Sequence, residues 1–226
     1  MPSRRIRAVW LVALCAASSA HAQQITTVLE NFESFKEDET PSKGWDSRNG
    51  DPKKVYRIAL ENGNHYLSAT DHGESVQLFR GGGWKLSETP RLMWKWRVNV
   101  FPPGADERLP DKNDSPAALY VVFPKRWLLP DVIKYVWSCA APVETVIVKS
   151  KHFPLIVVRS GTSPAGKWVE ESRNVYEDYK KLFDRGVPNP KAVGFLTDAN
   201  AVKGTAAADY DELRLARESI KETWDP

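Results

Sequence analysis

Three arginines stand in strand-like runs beside apolar residues, and these are the positions where chemistry could be done. In Pro154–Arg159, alternation places Arg159 on the face of Leu155 and Val157. In Lys167–Arg173 it places Glu171 and Arg173 on the face of Val169. A charge on an apolar face is costly unless it is partnered. One reading is an Arg159–Glu171 ion pair inside the fold. The other is an arginine-bearing cleft, because the guanidinium fork matches a carboxylate such as that of a uronate sugar. In Arg91–Val100, Trp94, Trp96 and Val98 share one face, and Lys95, Arg97 and Asn99 share the other. Trp137 and Tyr135 fall on the face of Ile133 and Cys139, where they either join a core or stack on a sugar ring. The cleft reading brings Arg97, Arg159 and Arg173 together on neighbouring strands, with Trp137 as a platform. Glu171 and Asp198 would hold the guanidinium groups, and the ligand would be an acidic glycan or a similar carboxylate.

Other chemistries find less support. Asp106, Glu107, Asp111 and Asp114 crowd one loop, and Asp198, Asp209, Asp211 and Glu212 lie near the last two strands. Ca²⁺ binds oxygen-rich loops of this kind. No run has calcium-loop spacing, so the loop reads as solvated, with a structural calcium as the alternative; no cofactor and no other metal are expected. His65, His72 and His152 have no zinc spacing. There is no Gly-x-Ser-x-Gly elbow, phosphate loop or dinucleotide fingerprint. Cys139 sits in an apolar run and reads as packing.

The elements that must position these residues are short strands. Runs at 25–32, 55–60, 65–69, 75–80, 91–100, 117–123, 134–140, 154–159, 167–173, 192–197 and 209–215 are separated by turn signals. That spacing predicts an all-β, antiparallel, two-sheet sandwich. Asn62-Gly63 is a hairpin signal. One helix interrupts the pattern. Asn174 caps it, Val175, Tyr176, Tyr179, Leu182 and Phe183 share a face, and Gly186 and Pro188 stop it.

The first 22 residues read as a signal peptide. Arg4, Arg5 and Arg7 precede an apolar stretch from Ala8 to Ala17, and Ala20-His21-Ala22 is a cleavage signal. The apolar stretch is about half of the ~20 residues that a membrane span needs. Residues 23–217 are expected to form a single domain, followed by a charged tail over 218–226. Without the three signal arginines, 32 Lys+Arg against 29 Asp+Glu become 29 of each. A net-neutral domain with no basic run argues against nucleic-acid binding. No later apolar run is long enough to cross a membrane as a helix.

Several runs, in order, carry a resemblance. They are Trp94-Lys-Trp-Arg-Val98, Pro102-Pro-Gly-Ala-Asp106, Asp114-Ser-Pro-Ala-Ala-Leu-Tyr-Val-Val-Phe123 and Tyr135-Val-Trp137. They continue with Val157-Val-Arg-Ser-Gly161, Trp168-Val-Glu-Glu-Ser-Arg173, Thr197-Asp198 and Tyr210-Asp-Glu-Leu-Arg214. The chain resembles a bacterial family of exported proteins, domain of unknown function 3047. The resemblance implies a β-sandwich of the carbohydrate-binding jelly-roll kind and implies no particular activity. This sequence has Ala118 where the family commonly has arginine, and its acidic run after Thr197 is thinned to Asp198-Ala-Asn200.

The leading functional reading is a periplasmic or secreted, non-catalytic binder of a carbohydrate or another cell-envelope ligand. The rivals are a polysaccharide lyase or glycoside hydrolase on the same fold, and an envelope scaffold that binds only protein. The mature protein is expected to begin at Gln23 outside the cytoplasm. Intact mass of protein from the periplasm checks this, and a mass retaining residues 1–22, or a lipid on Cys15, would contradict it.

Overall fold

The computed structural model describes residues 26–125 and 129–217; the segment read as a signal peptide and the charged tail lie outside them. The first strands are β1 (Thr26–Glu30), β2 (Trp45–Arg48), β3 (Tyr56–Glu61), β4 (Asn64–Asp71), β5 (Gln77–Gly81) and β6 (Arg91–Val100). They are followed by β7 (Ala117–Phe123), β8 (Asp131–Ser138), β9 (Val146–Val148), β10 (Pro154–Ser160) and β11 (Val169–Asn174). The one α-helix among the described residues, α1 (Val175–Phe183), precedes β12 (Ala192–Leu196) and β13 (Ala206–Ala216).

The strands form two sheets. One has the order β11-β6-β13-β4-β3, with β1 also paired to β13; the other has the order β2-β5-β12-β7-β8-β10-β9. The chain is a two-sheet β-sandwich with one short helix. Its pairing is not wholly antiparallel, because β10 runs parallel to β8. Two strands are additional to those read from the sequence. Both are edge strands with little burial: β2 buries only Trp45 of its four residues, and β9 leaves Val146 and Val148 exposed. A strand held mainly by backbone pairing leaves no hydrophobic alternation to read.

Aromatic side chains fill the space between the sheets. Trp94 and Trp96 point inward from β6, and Tyr135 and Trp137 point inward from β8; all four are fully buried. The ring centroids lie 5.7 Å apart for Trp94–Tyr135 and 6.0 Å apart for Trp96–Trp137. The β3–β4 hairpin turns on Asn62-Gly63, with φ of 53° and 82°. This matches the positive-φ turn that the Asn-Gly pair favours. The α1 cap also forms as read: Asn174 Oδ1 accepts the Glu177 N–H at 3.1 Å. The helix ends earlier than Gly186, because Asp184 takes the left-handed conformation at φ 46°. Tyr179 of α1 packs on Phe123 with centroids 4.5 Å apart.

A core tryptophan of this kind gives a direct stability test. Trp137→Ala should cost ~3–5 kcal/mol in a urea or thermal melt, as large-to-small changes in packed cores do. A loss below ~1 kcal/mol would contradict the placement of Trp137 in the core, since it would fall outside the range for buried aromatic truncations.

Candidate functional site

The residues singled out from the sequence fall in three places. Arg159, Glu171, Arg173 and Trp137 come together between the sheets, where the edge strand β11 faces β10. Arg159 Nε donates to Glu171 Oε1 at 2.6 Å, and the same oxygen accepts from Trp96 Nε1 at 3.2 Å. The Arg159 guanidinium lies 5.3 Å from the Trp137 ring centroid. Arg173 donates to both oxygens of Asp178, at 3.0 and 2.7 Å, and pairs with Glu144. Parity had placed Arg159 with Leu155 and Val157. The β10–β8 register slips between Val157 and Arg159, so Arg159 sits opposite Trp137 and turns inward.

The expected single cleft does not form. Trp137 is 0% exposed, and its Nε1 donates to the Gly161 carbonyl at 2.8 Å, so it offers no platform to a sugar. Arg97 alternates with Trp96 and therefore lies on the outer face of the β11-β6-β13-β4-β3 sheet. It is fixed there by Asp209 at 2.6 Å, Glu61 at 3.0 Å and the Tyr66 hydroxyl at 3.0 Å. Asp198 follows β12 and lies on the outer side of the other sheet, so the sandwich separates it from Arg97.

That other outer face is unusual. The ladder partners Asp46 (β2), Phe79 (β5), Gly194 (β12), Tyr120 (β7), Lys134 (β8), Leu155 (β10) and Ile147 (β9) form one row across the whole sheet. Residues that pair directly share a face, so the row is a continuous outer surface. The Phe79 ring contacts Tyr120 at 5.6 Å, and Tyr120 contacts Phe153 at 5.9 Å. Gly194 makes the first contact possible. A Cβ there would stand 2.4 Å from Phe79 Cδ1, so only glycine lets the ring lie across β12 to reach Tyr120. These rings line a groove of about 340 Å³ with Asp46, Arg48, Gln77 and Lys191 among its other walls. The Arg48 guanidinium lies 5.4 Å from the Phe79 ring centroid.

Beyond Tyr120 the same face ends in a buried polar cluster. Lys134 is 4% exposed, and its ammonium lies 5.7 Å from the Tyr120 ring centroid. It meets the Ser115 hydroxyl at 3.5 Å. Glu107 accepts from Ser115 Oγ at 2.8 Å and also from Ser138 Oγ. Asp114 accepts the backbone N–H groups of Ala201 and Val202 at 3.1 and 2.8 Å. Burial pushes the Lys134 ammonium below its usual range and the Asp198 and Tyr120 groups above theirs. The acidic loop is thus not a solvated run throughout: Glu107 and Asp114 point inward and tie the loops to the sheet, while Asp106 pairs with Arg108. Among the described residues, no three His, Cys, Asp or Glu side chains are grouped as metal ligands would be. Cys139 Sγ lies 3.8 Å from the Pro102 carbonyl, and burial pushes its thiol up to about 12.

Phe79, Tyr120, Phe153 and Gly194 were not singled out from the sequence. One signal for them was present: the run Ala117–Phe123 has no charged residue on either alternate face, so both faces need cover.

No curated protein matches the chain in sequence. Among solved structures it is similar to the xylanase 10B modules of Clostridium thermocellum, CBM22-1 and GH10, complexed with xylohexaose. That likeness has a TM-score of 0.39 and 13% identity, and covers 89% of this chain and 30% of that one, so the chain spans under a third of that xylanase chain. It is also similar to the xylan-binding module CBM15, at TM-score 0.36 and 11% identity, covering 86% of this chain and 97% of that one. A third is CBM28, a module specific for non-crystalline cellulose, at TM-score 0.38 and 11% identity over 83% and 93% of the two chains. Likeness at this level says nothing of a ligand. The model of the family described as protein of unknown function, DUF3047, matches residues 43–214, and the chain belongs to that family.

Proposed function

We propose that the chain is an exported, non-catalytic carbohydrate binder that seats a saccharide in the Phe79–Tyr120–Phe153 groove. The observation that carries this reading is the apolar outer face of the β2-to-β9 sheet. The solvent side of an antiparallel sheet is ordinarily polar. Here its central strand presents Ala118, Tyr120 and Val122 outward, and β8 presents Val132 and Val136. A pyranose ring has an apolar C–H face and a rim of hydroxyls. Phe79 and Phe153, both part-exposed, suit the first, and Asp46, Arg48, Gln77 and Lys191 suit the second. Arg48 and Lys191 outnumber Asp46, so the lining tolerates a uronate carboxylate.

The groove is poorly equipped for catalysis. Glycoside hydrolysis needs two carboxyl groups flanking the bond, about 5–10 Å apart. Asp46 is the one carboxylate among the described lining residues. A lyase would need a base, and burial holds the Tyr120 hydroxyl well above its ordinary pKa, in its protonated form.

A glycan array followed by calorimetry tests the reading. Wild-type protein should bind oligosaccharides, uronate-bearing ones included. Phe79→Ala should weaken the uronate binding by about tenfold or more, the scale of an interface anchor. Its melting temperature should stay close to wild type, because the ring is only part-buried. An array on which wild type binds nothing, or a Phe79→Ala protein that binds uronate-bearing glycans as wild type does, would overturn the proposal.

A further inference from the structure

We infer a second saccharide site on the opposite face of the sandwich, built around Trp168 and selective for sugars without carboxylates; the inference rests on the reading of the chain as a carbohydrate binder. Among the described tryptophans, Trp168 alone is not buried. Its indole is nonetheless held in place. The Arg97 guanidinium lies 4.7 Å from the Trp168 ring centroid, and Tyr66 meets the ring edge-on at 5.4 Å. Arg97 is itself locked by Asp209 and Glu61, at 2.6 and 3.0 Å. A rigid aromatic surface costs little ordering on binding, which favours its use as a platform.

Trp168 lines a cavity of about 420 Å³. Ladder partners Asp211, Lys95 and Glu170 cross its floor from β13 to β6 to β11. The polar groups of this cavity suit hydroxyls. Glu61 is paired to Arg97, and Glu170 and Glu212 are paired to Arg214 at 2.9 and 3.3 Å. Asp211 accepts from Asn64 Nδ2 at 2.9 Å. These carboxylates keep lone pairs for sugar O–H donors. Lys95 makes no ion pair among the described residues and can donate to a ring or hydroxyl oxygen.

Charge sets the ligand class. The lining holds Glu61, Glu170, Asp211 and Glu212 against Lys95. Burial raises the Asp211 carboxyl to about 6, which still leaves the lining negative. A uronate would be repelled, whereas a neutral or amine-bearing pyranose would not. The groove on the other face, where cations are in excess, has the opposite preference.

Three variants on one glycan array, with neutral, amine-bearing and uronate-bearing oligosaccharides, test this. Trp168→Ala should weaken binding of carboxylate-free glycans by about tenfold or more, and leave uronate-bearing ones bound as in wild type. Lys95→Ala removes a floor group without touching the aromatic stack. It should lower the same carboxylate-free binding several-fold, which keeps the test open if Trp168→Ala fails to fold. Phe79→Ala should leave carboxylate-free binding intact. If Trp168→Ala and Lys95→Ala both bind carboxylate-free glycans as wild type does, or if wild type binds only uronates, the second site is wrong and the groove reading stands. If Phe79→Ala binds everything while Trp168→Ala loses its glycans, the groove reading falls and the second site stands. No glycan binding at all would overturn both.

Discussion

The strand β7 lies at the centre of its sheet and has no charged residue, and all seven of its side chains are buried. Its inward residues Ala117, Leu119, Val121 and Phe123 meet the aromatic core. Its outward residues Ala118, Tyr120 and Val122 would face water in an ordinary sandwich. Apolar area left in water is unfavourable in proportion to its extent. The fold must therefore cover that face, and it does so only in part. Toward one end, the loops carrying Glu107, Asp114 and Asp198 close over Lys134. Toward the other, Phe79 and Phe153 flank an opening that nothing else in the described chain fills.

Buried charge at the open edge of the sandwich is handled by pairing. Each inward-facing arginine at the sheet edge meets a carboxylate: Arg159 meets Glu171, and Arg173 meets Asp178. Removing one partner of such a pair leaves the other desolvated and alone, which is far more costly than losing an exposed pair. These pairs close the side of the sandwich, where β11 and β10 do not hydrogen-bond to each other. They also explain why Arg159 stands in a strand that is otherwise largely apolar, and the explanation is structural.

Much of the fold was legible in the sequence because it obeys alternation. The burial of Trp94 and Trp96, the outward turn of Arg97, the inward pair of Glu171 and Arg173, and the Asn62-Gly63 hairpin all follow from period and turn chemistry. Alternation failed where the backbone departs from it. One register slip in β10 turned Arg159 to the face of Trp137. The site was less legible for a different reason. Its rings come from β5, β7 and the segment before β10, and they meet only because β12 places Gly194 between Phe79 and Tyr120. No local pattern encodes that juxtaposition. Residue type leaves Trp137 open between core and platform; it is buried in the core, and it is Phe79 and Phe153 that reach the surface.

The two outer faces differ in charge as well as in shape. One couples aromatic rings to a slight excess of cations, and the other sets a braced indole among carboxylates. The claim on which the rest depends is that the first of these faces holds a ligand. Amide chemical shifts in a two-dimensional NMR titration with a uronate-bearing oligosaccharide test it most directly. The largest shifts are expected at Phe79, Tyr120, Phe153 and Gly194, in one patch across β5, β12 and β7. Shifts that reach saturation while these four signals stay unmoved, or no shift anywhere in the protein, would contradict it.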